Sequence, residues 1–336
     1  MRITLRSCVP ERCFGKSIFF YCFCAGIFSV GFFLGALQTS GWCNDKYAMD
    51  HVHRTIKADI SNKQISAYLI VIIFSSPKNY EKRLVIRKTW LLTGGNHRIL
   101  HFFVIGTASL NSEQKYDLKN ELKEYNDLLL LDSVNDSFSK LSEKLREVFR
   151  WLDSKAHYTF VLKVDDDSFV RLNALYAAMT KQPQEKLYWG FFDGQSYVKL
   201  KGKWAEKDWF LCNHYLPYAL GGGYVLSADL VHYIVLVSDL LSLYKNEDVS
   251  LGTWLAPFEI KRLHDPLFDT EFRSRGCFNS YLVTHKQTPS MMIEKYNNIA
   301  KSGKLCSSEY RTRNSFVYNW NVLPSQCCIR NDTNVP

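Results

Sequence analysis

Residues 158–167 read Tyr-Thr-Phe-Val-Leu-Lys-Val-Asp-Asp-Asp, an apolar β-prone run from Tyr158 to Val164 that ends in three carboxylates. A run of this length bounded by acidic residues predicts a buried strand whose carboxyl end reaches solvent. Side chains alternate along a strand, so Asp165 and Asp167 face one way and Asp166 the other. Two carboxylates on one side suit a hard divalent ion such as Mg²⁺ or Mn²⁺ carrying a diphosphate, which takes oxygen ligands and few protein carboxylates. An acidic turn capping the helix after Ser168 fits the same residues equally well.

This strand belongs to an alternating series. β-rich runs at Ala67–Phe74, Ile99–Gly106 and Leu128–Leu131 are separated by helical patterns over Tyr80–Leu91 and Glu113–Tyr125. A third helical pattern carries Phe138, Leu141, Leu145, Val148, Phe149 and Leu152 at three- and four-residue spacing. The rhythm predicts a parallel α/β sheet, with ligands bound beyond the carboxyl ends of its strands. Across 336 residues, 46% hydrophobic and 22% charged content excludes disorder for most of the chain. The net charge of +9 suits nucleic acid, membrane or polyanion partners alike.

Ser17 to Leu37 is an apolar stretch that would extend about 31 Å as a helix, enough to cross a bilayer. Arg2, Arg6, Arg12 and Lys16 precede it, so positive-inside counting keeps the N-terminus cytosolic and the remainder lumenal. A cleaved signal peptide fits less well, because the run is too long and lacks an A-x-A site. The expected organisation is a cytosolic tail (1–16), a signal-anchor (17–37), a polar stem (38–64), a lumenal domain (65–330) and a short tail (331–336). Cys43, Cys212, Cys277, Cys306, Cys327 and Cys328 follow the anchor, and in an oxidising lumen some of them should be disulfide-bonded. Asn135-Asp136-Ser137 and Asn331-Asp332-Thr333 are glycosylation acceptors there. A lumenal domain does not meet nucleic acid.

Other candidates carry two readings each. Glu247-Asp248 opens a helix through Trp254, where carboxylates also simply favour the helix dipole. Gly221-Gly222-Gly223, before the strand Tyr224–Ser227, admit close backbone approach to a ligand or form a bulge. His285 ends the apolar run Tyr281–Thr284 as a metal ligand or a packed ring, and His264 stands beside the turn-forming Asp265-Pro266. Arg83 and Arg87 lie four apart, facing a diphosphate or uracil edge, or forming a solvated stripe. Lys199 to Trp209 interleaves lysines with Trp204 and Trp209, as a sugar-stacking surface or an ordinary hairpin would. No G-x-G-x-x-G, P-loop, H-E-x-x-H or G-x-S-x-G occurs.

In chain order, Arg83–Trp90, Phe103–Gly106, Lys163–Asp167, Tyr215–Ser227 and Glu247-Asp248-Val249 with Gly252 resemble the successive motifs of the β-1,3-galactosyltransferase family. The resemblance implies an α/β, Rossmann-like nucleotide-sugar-binding fold of the GT-A type behind a single-pass type II anchor in the Golgi membrane. It implies inverting transfer of galactose from UDP-galactose with Mn²⁺, or Mg²⁺, as cofactor. Asp167 and His285 would be the metal ligands, Asp165 and Asp166 would serve ribose and metal-bound water, and Asp248 would be the general base, its pKa the ordinary value of about 4. Glu247 would orient sugar hydroxyls, Arg83, Arg87 and Gly222 would face the donor, and Trp204 and Tyr215 the acceptor. The stretches 247–257, 264–287 and 324–328 look most like the member that adds the second galactose of the xylose-linked tetrasaccharide on proteoglycan core proteins. Asp132 to Leu145 departs from the family's D-F-x-D-x-Y-x-N-L-T, with Ser133, Phe138 and Lys140 in its place. Transfer of N-acetylglucosamine or N-acetylgalactosamine, and an inactive Golgi glycan-binding scaffold, are the alternatives.

Overall fold

A computed structural model describes residues 65–95, 98–331 and 334–336. The expected anchor, the stem and Cys43 lie outside them, and among the described residues no helix is long and apolar enough to cross a membrane.

Seven strands form the central sheet: β1 (Leu69–Phe74), β2 (Ile99–Gly106), β3 (Leu128–Leu131), β4 (Phe160–Asp165), β5 (Leu187–Asp193), β6 (Tyr218–Ser227) and β7 (Lys261–His264). Their order is β7-β5-β6-β4-β1-β2-β3. β1 is Leu-Ile-Val-Ile-Ile-Phe and is buried along its whole length, as expected for a strand covered on both faces. Around it stand the helices α1 (Tyr80–Lys88), α2 (Ser112–Tyr125), α3 (Leu141–Lys155), α4 (Leu172–Met179), α5 (Ala228–Leu236), α6 (Glu247–Leu255) and α7 (Pro289–Ser302). Asn111 caps α2 in a reciprocal box with Gln114, which places its start one residue before the predicted one. On α3, Leu145, Val148, Phe149 and Leu152 are buried, so the three- and four-residue spacing does mark the core face.

The expectation of a parallel sheet needs correction. β1 pairs in parallel with β2 and β4, but β6 runs antiparallel to both β4 and β5. The cause is local: β5 and β6 are joined by a loop without a helix, and an antiparallel pair needs no helical crossover. Strand β6 also starts earlier than its apolar end suggested, taking all three glycines into the strand. A small second sheet, Phe268–Asp269, Val283–Thr284 and Phe169–Val170, delivers the chain to His285. Disulfides join Cys277 to Cys306 and Cys327 to Cys328, while Cys212 is free and exposed.

Candidate active site

At the carboxyl end of β4 the alternation holds. Asp165 and Asp167 turn toward His285, whose Nε2 lies 3.4 Å from Asp165 Oδ2 and 3.0 Å from Asp167 Oδ1. Asp166 turns away, accepting from Ser75 Oγ at 2.9 Å, Asn79 Nδ2 at 2.7 Å and Lys82 Nζ at 2.8 Å. It braces the loop between β1 and α1.

The ligand atoms of Asp165, Asp167 and His285 all lie within 4.8 Å of one another. One imidazole nitrogen with carboxylate oxygens suits Mn²⁺ or Mg²⁺. Burial lowers the basicity of His285, but the two carboxylates outweigh it and push its pKa up to about 9. Burial likewise works against the charged form of Asp165, yet Lys163 and His285 hold that carboxyl well below its usual range. Asp167 also meets Lys286 Nζ at 3.2 Å, so both carboxylates already draw cations to this point. His285 Nδ1 is buried without a hydrogen-bond partner. Packing sets the ring's position instead: a β-carbon on Gly222 would stand 2.5 Å from that nitrogen.

The second half of the site opens α6. Glu247 is buried, and its Oε1 accepts from Lys163 Nζ at 2.5 Å. Asp248 remains partly exposed, with Oδ2 accepting from the Gly221 amide at 3.0 Å and Oδ1 from the Val249 amide at 2.9 Å. Its pKa is not the ordinary one expected. Burial and the neighbouring Glu247 push it up to about 7, against the opposing pull of Lys163 and the two amides. Gly221 and Gly222 thus separate Asp248 from His285 along a single strand. Both groups line one cleft of about 940 Å³, large enough for a drug-sized ligand.

Lys163 was the residue that sequence reasoning passed over. Only 1% exposed, it gives its three donors to Asp165 Oδ1 (2.8 Å), Glu247 Oε1 (2.5 Å) and the Gly221 carbonyl (2.7 Å). The signal was available: a lone lysine within an apolar strand must find buried counter-charges. Lys144, on α3, was passed over too; it is buried and binds the Ser75 carbonyl at 2.7 Å and Asp136 Oδ2 at 3.1 Å on the cleft wall.

The remaining candidates divide. Gly222, Trp204 and Tyr215 line the cleft with the acidic groups. Trp204 packs edge-to-face on Phe272 at 5.2 Å, whereas the Tyr215 hydroxyl accepts from the Lys199 amide at 2.9 Å. Arg83 and Arg87 do not line it, which corrects the expectation that they face the donor. Arg83 is buried against Glu121, with bonds of 2.8 and 2.6 Å, and Arg87 is held by Asp127 and Glu121 at 2.7 to 2.8 Å. These buried acids on and after α2 are the partners such guanidinium groups require. Arg83 reaches the cleft only indirectly, through its bonds to Ser75 and Ser76. His264 is buried, with Nδ1 accepting from the Phe192 amide and Nε2 donating to the Phe316 carbonyl, so no nitrogen is left for a metal. Asn135 and Asn331 are both exposed; Asp332 and Thr333 of the second sequon lie outside the described residues.

The family description "Galactosyltransferase" matches residues 81–266, and the chain belongs to that family. It is an enzyme of the transferase class. Over 272 residues it is 48% identical to mouse beta-1,3-galactosyltransferase 6, covering 79% of this chain and 84% of that one. It is 30% identical over 196 residues to human UDP-GalNAc:beta-1,3-N-acetylgalactosaminyltransferase 2, covering 58% of this chain and 38% of that one. Among solved structures, a mannosyltransferase from Pyrobaculum calidifontis in complex with GDP-Man and Mn²⁺ aligns with 60% of this chain and 55% of its own, at 10% identity and a TM-score of 0.37. That likeness is too remote to carry an argument.

Proposed function

We propose that the chain is a GT-A-type enzyme of the Golgi lumen, held by a type II anchor, that transfers galactose from UDP-galactose with inversion. The acceptor is the 3-hydroxyl of galactose in the Gal-β-1,4-Xyl-O-Ser linkage region of proteoglycans, the product being the second galactose of the linker. One observation carries the reading: Asp165, Asp167 and His285 open into the same cleft as Asp248. The 48% identity to mouse beta-1,3-galactosyltransferase 6 supports the choice of sugar and linkage.

Asp165, Asp167 and His285 are the residues that would hold Mn²⁺ or Mg²⁺, which when bound neutralises charge on the departing diphosphate. Asp165 joins the ligand set here, and Asp166, committed to Ser75, Asn79 and Lys82, keeps the donor wall in place. Asp248 takes the proton of the acceptor 3-hydroxyl as its oxygen bonds the anomeric carbon and the carbon–phosphate oxygen bond breaks. The α-linked donor thereby yields a β-linked product. A carboxylate with a pKa of about 7 is a stronger base than an ordinary one, yet is substantially ionised at neutral pH. Lys163 keeps Glu247 fixed beside it, and Trp204 offers an exposed aromatic face to the acceptor.

The test is incubation of the detergent-solubilised chain with UDP-galactose, Mn²⁺ and a galactosyl-β-1,4-xyloside, followed by linkage analysis. A β-1,3-digalactosyl product is expected. Preferential use of UDP-N-acetylgalactosamine, or no transfer to this acceptor, would overturn the substrate assignment.

A further inference from the structure

We propose that one lip of the cleft docks an acidic stretch of the polypeptide that carries the acceptor glycan. The proposal rests on the acceptor reading above, in which the sugar is already attached to a protein.

Although Lys286 sits beside Asp167, charge is unevenly distributed across the cleft. Its floor holds the carboxylates Asp165, Asp167, Glu247 and Asp248, whereas its lip carries Lys199 and Lys203 on the β5–β6 loop and Arg273 on the loop after Phe268–Asp269. All three cations are exposed, and among the described residues none forms an ion pair. Two nearby carboxylates, Glu206 and Glu271, are already committed. Glu206 is buried and accepts from the amides of Lys245 (2.9 Å) and Asn246 (2.7 Å), while Glu271 is paired with Arg313 and Arg330. Lys203 and Lys245 bring two ammonium groups over one Phe138 ring, at 4.4 and 5.8 Å from its centroid. Like charges gathered without a counter-ion raise the local positive potential, which an incoming carboxylate relieves.

The lip is built rather than loose. The Glu206 amide donates to the Lys199 carbonyl at 2.7 Å, the Lys199 amide to the Tyr215 hydroxyl at 2.9 Å, and the Val198 amide to the Asn213 carbonyl at 3.1 Å. Trp204 and Phe272, 41% and 64% exposed, meet across the two loops and give the same face an apolar footing. Because Lys199, Lys203 and Arg273 line a concavity, an extended peptide reaches them and a flat bilayer does not.

The test compares three acceptors with the full detergent-solubilised chain: the free galactosyl-xyloside, the same disaccharide on serine within a glutamate-rich peptide, and its counterpart with glutamine for every glutamate. The acidic peptide is expected to show a KM about fivefold below the neutral one, as a few rim charges allow. The advantage should vanish at about 0.5 M salt. It should also vanish in the Lys199→Gln, Lys203→Gln, Arg273→Gln variant, whose turnover of the free disaccharide stays unchanged. Equal KM for the two peptides overturns docking alone, provided that the free disaccharide is galactosylated. No transfer to any of the three removes the acceptor reading, and this proposal with it. Retention of the peptide preference in the triple variant, alongside lost binding to phosphatidylserine vesicles, would assign the lip to a membrane and overturn the proposal.

Discussion

Lys163 Nζ lies 2.5 Å from Glu247 Oε1, a contact between residues 84 positions apart that ties the strand bearing Asp165 to the helix bearing Asp248. With Asp165 Oδ1 at 2.8 Å on its other side, the ammonium holds together the two halves of the cleft floor.

Removing that charge should be felt in the fold. In Lys163→Met, the buried Glu247 loses its counter-charge, a change that destabilises by about 3–5 kcal/mol. Chemical denaturation measures it, and Lys163→Arg, which keeps the charge but not the shape, should fall between. Stability equal to wild type would mean that the bridge is not a structural tie.

Activity and stability should move in opposite directions with pH. As the proposed base, Asp248 has to be ionised to act, so at saturating Mn²⁺ kcat/KM should climb through a limb near its value of about 7 and level off above it. In the unfolded chain the same group titrates at about 4, so between these values the folded state binds more protons. Its contribution to stability is therefore full below about 4 and is lost as pH rises through about 7. A melting-temperature series over that window, run beside Asp248→Asn, should show the decline in wild type and a smaller one in the variant.

The two glycines should report on different functions. A β-carbon at Gly222 would meet His285 Nδ1 at 2.5 Å, whereas one at Gly221 would meet Glu247 Oε1 at 2.7 Å. Gly222→Ala should weaken Mn²⁺ binding, read by electron paramagnetic resonance titration, while Gly221→Ala should leave it near wild type and lower turnover. Each overpacking should destabilise by about 1–3 kcal/mol.

The aspartates should separate in the same titration. Asp167→Asn is expected to lower Mn²⁺ affinity by at least about tenfold. Asp166→Asn, whose carboxylate accepts from Ser75, Asn79 and Lys82, should bind Mn²⁺ almost normally but lose about 1.5–3 kcal/mol of stability.

Much of this is legible in the sequence. Period-two alternation at Asp165–Asp167 separated the pair that faces His285 from Asp166, because that signal is carried by neighbouring residues on one strand. The helix face of Leu145, Val148, Phe149 and Leu152 was legible for the same reason. What escaped depends on residues distant in the chain. Arg83 and Arg87 look free in the sequence, yet Glu121 and Asp127 reach them only once α2 has packed. The elevated pKa of Asp248 arises from burial and from the neighbour Glu247, and its size is set by the fold, not by residue type. The antiparallel course of β6 escaped because its first residues, Tyr218 to Gly223, are too glycine-rich to read as strand.

The central claim is that Asp248 serves the chemistry, while Asp165, Asp167 and His285 serve the donor, within one cleft. The most direct measurement is UDP binding by calorimetry in the presence of Mn²⁺, paired with turnover, for Asp248→Asn against wild type. UDP affinity within about twofold of wild type, with turnover lowered about 10²- to 10⁴-fold, is the predicted result. Undiminished turnover, or loss of UDP binding in step with activity, would contradict it.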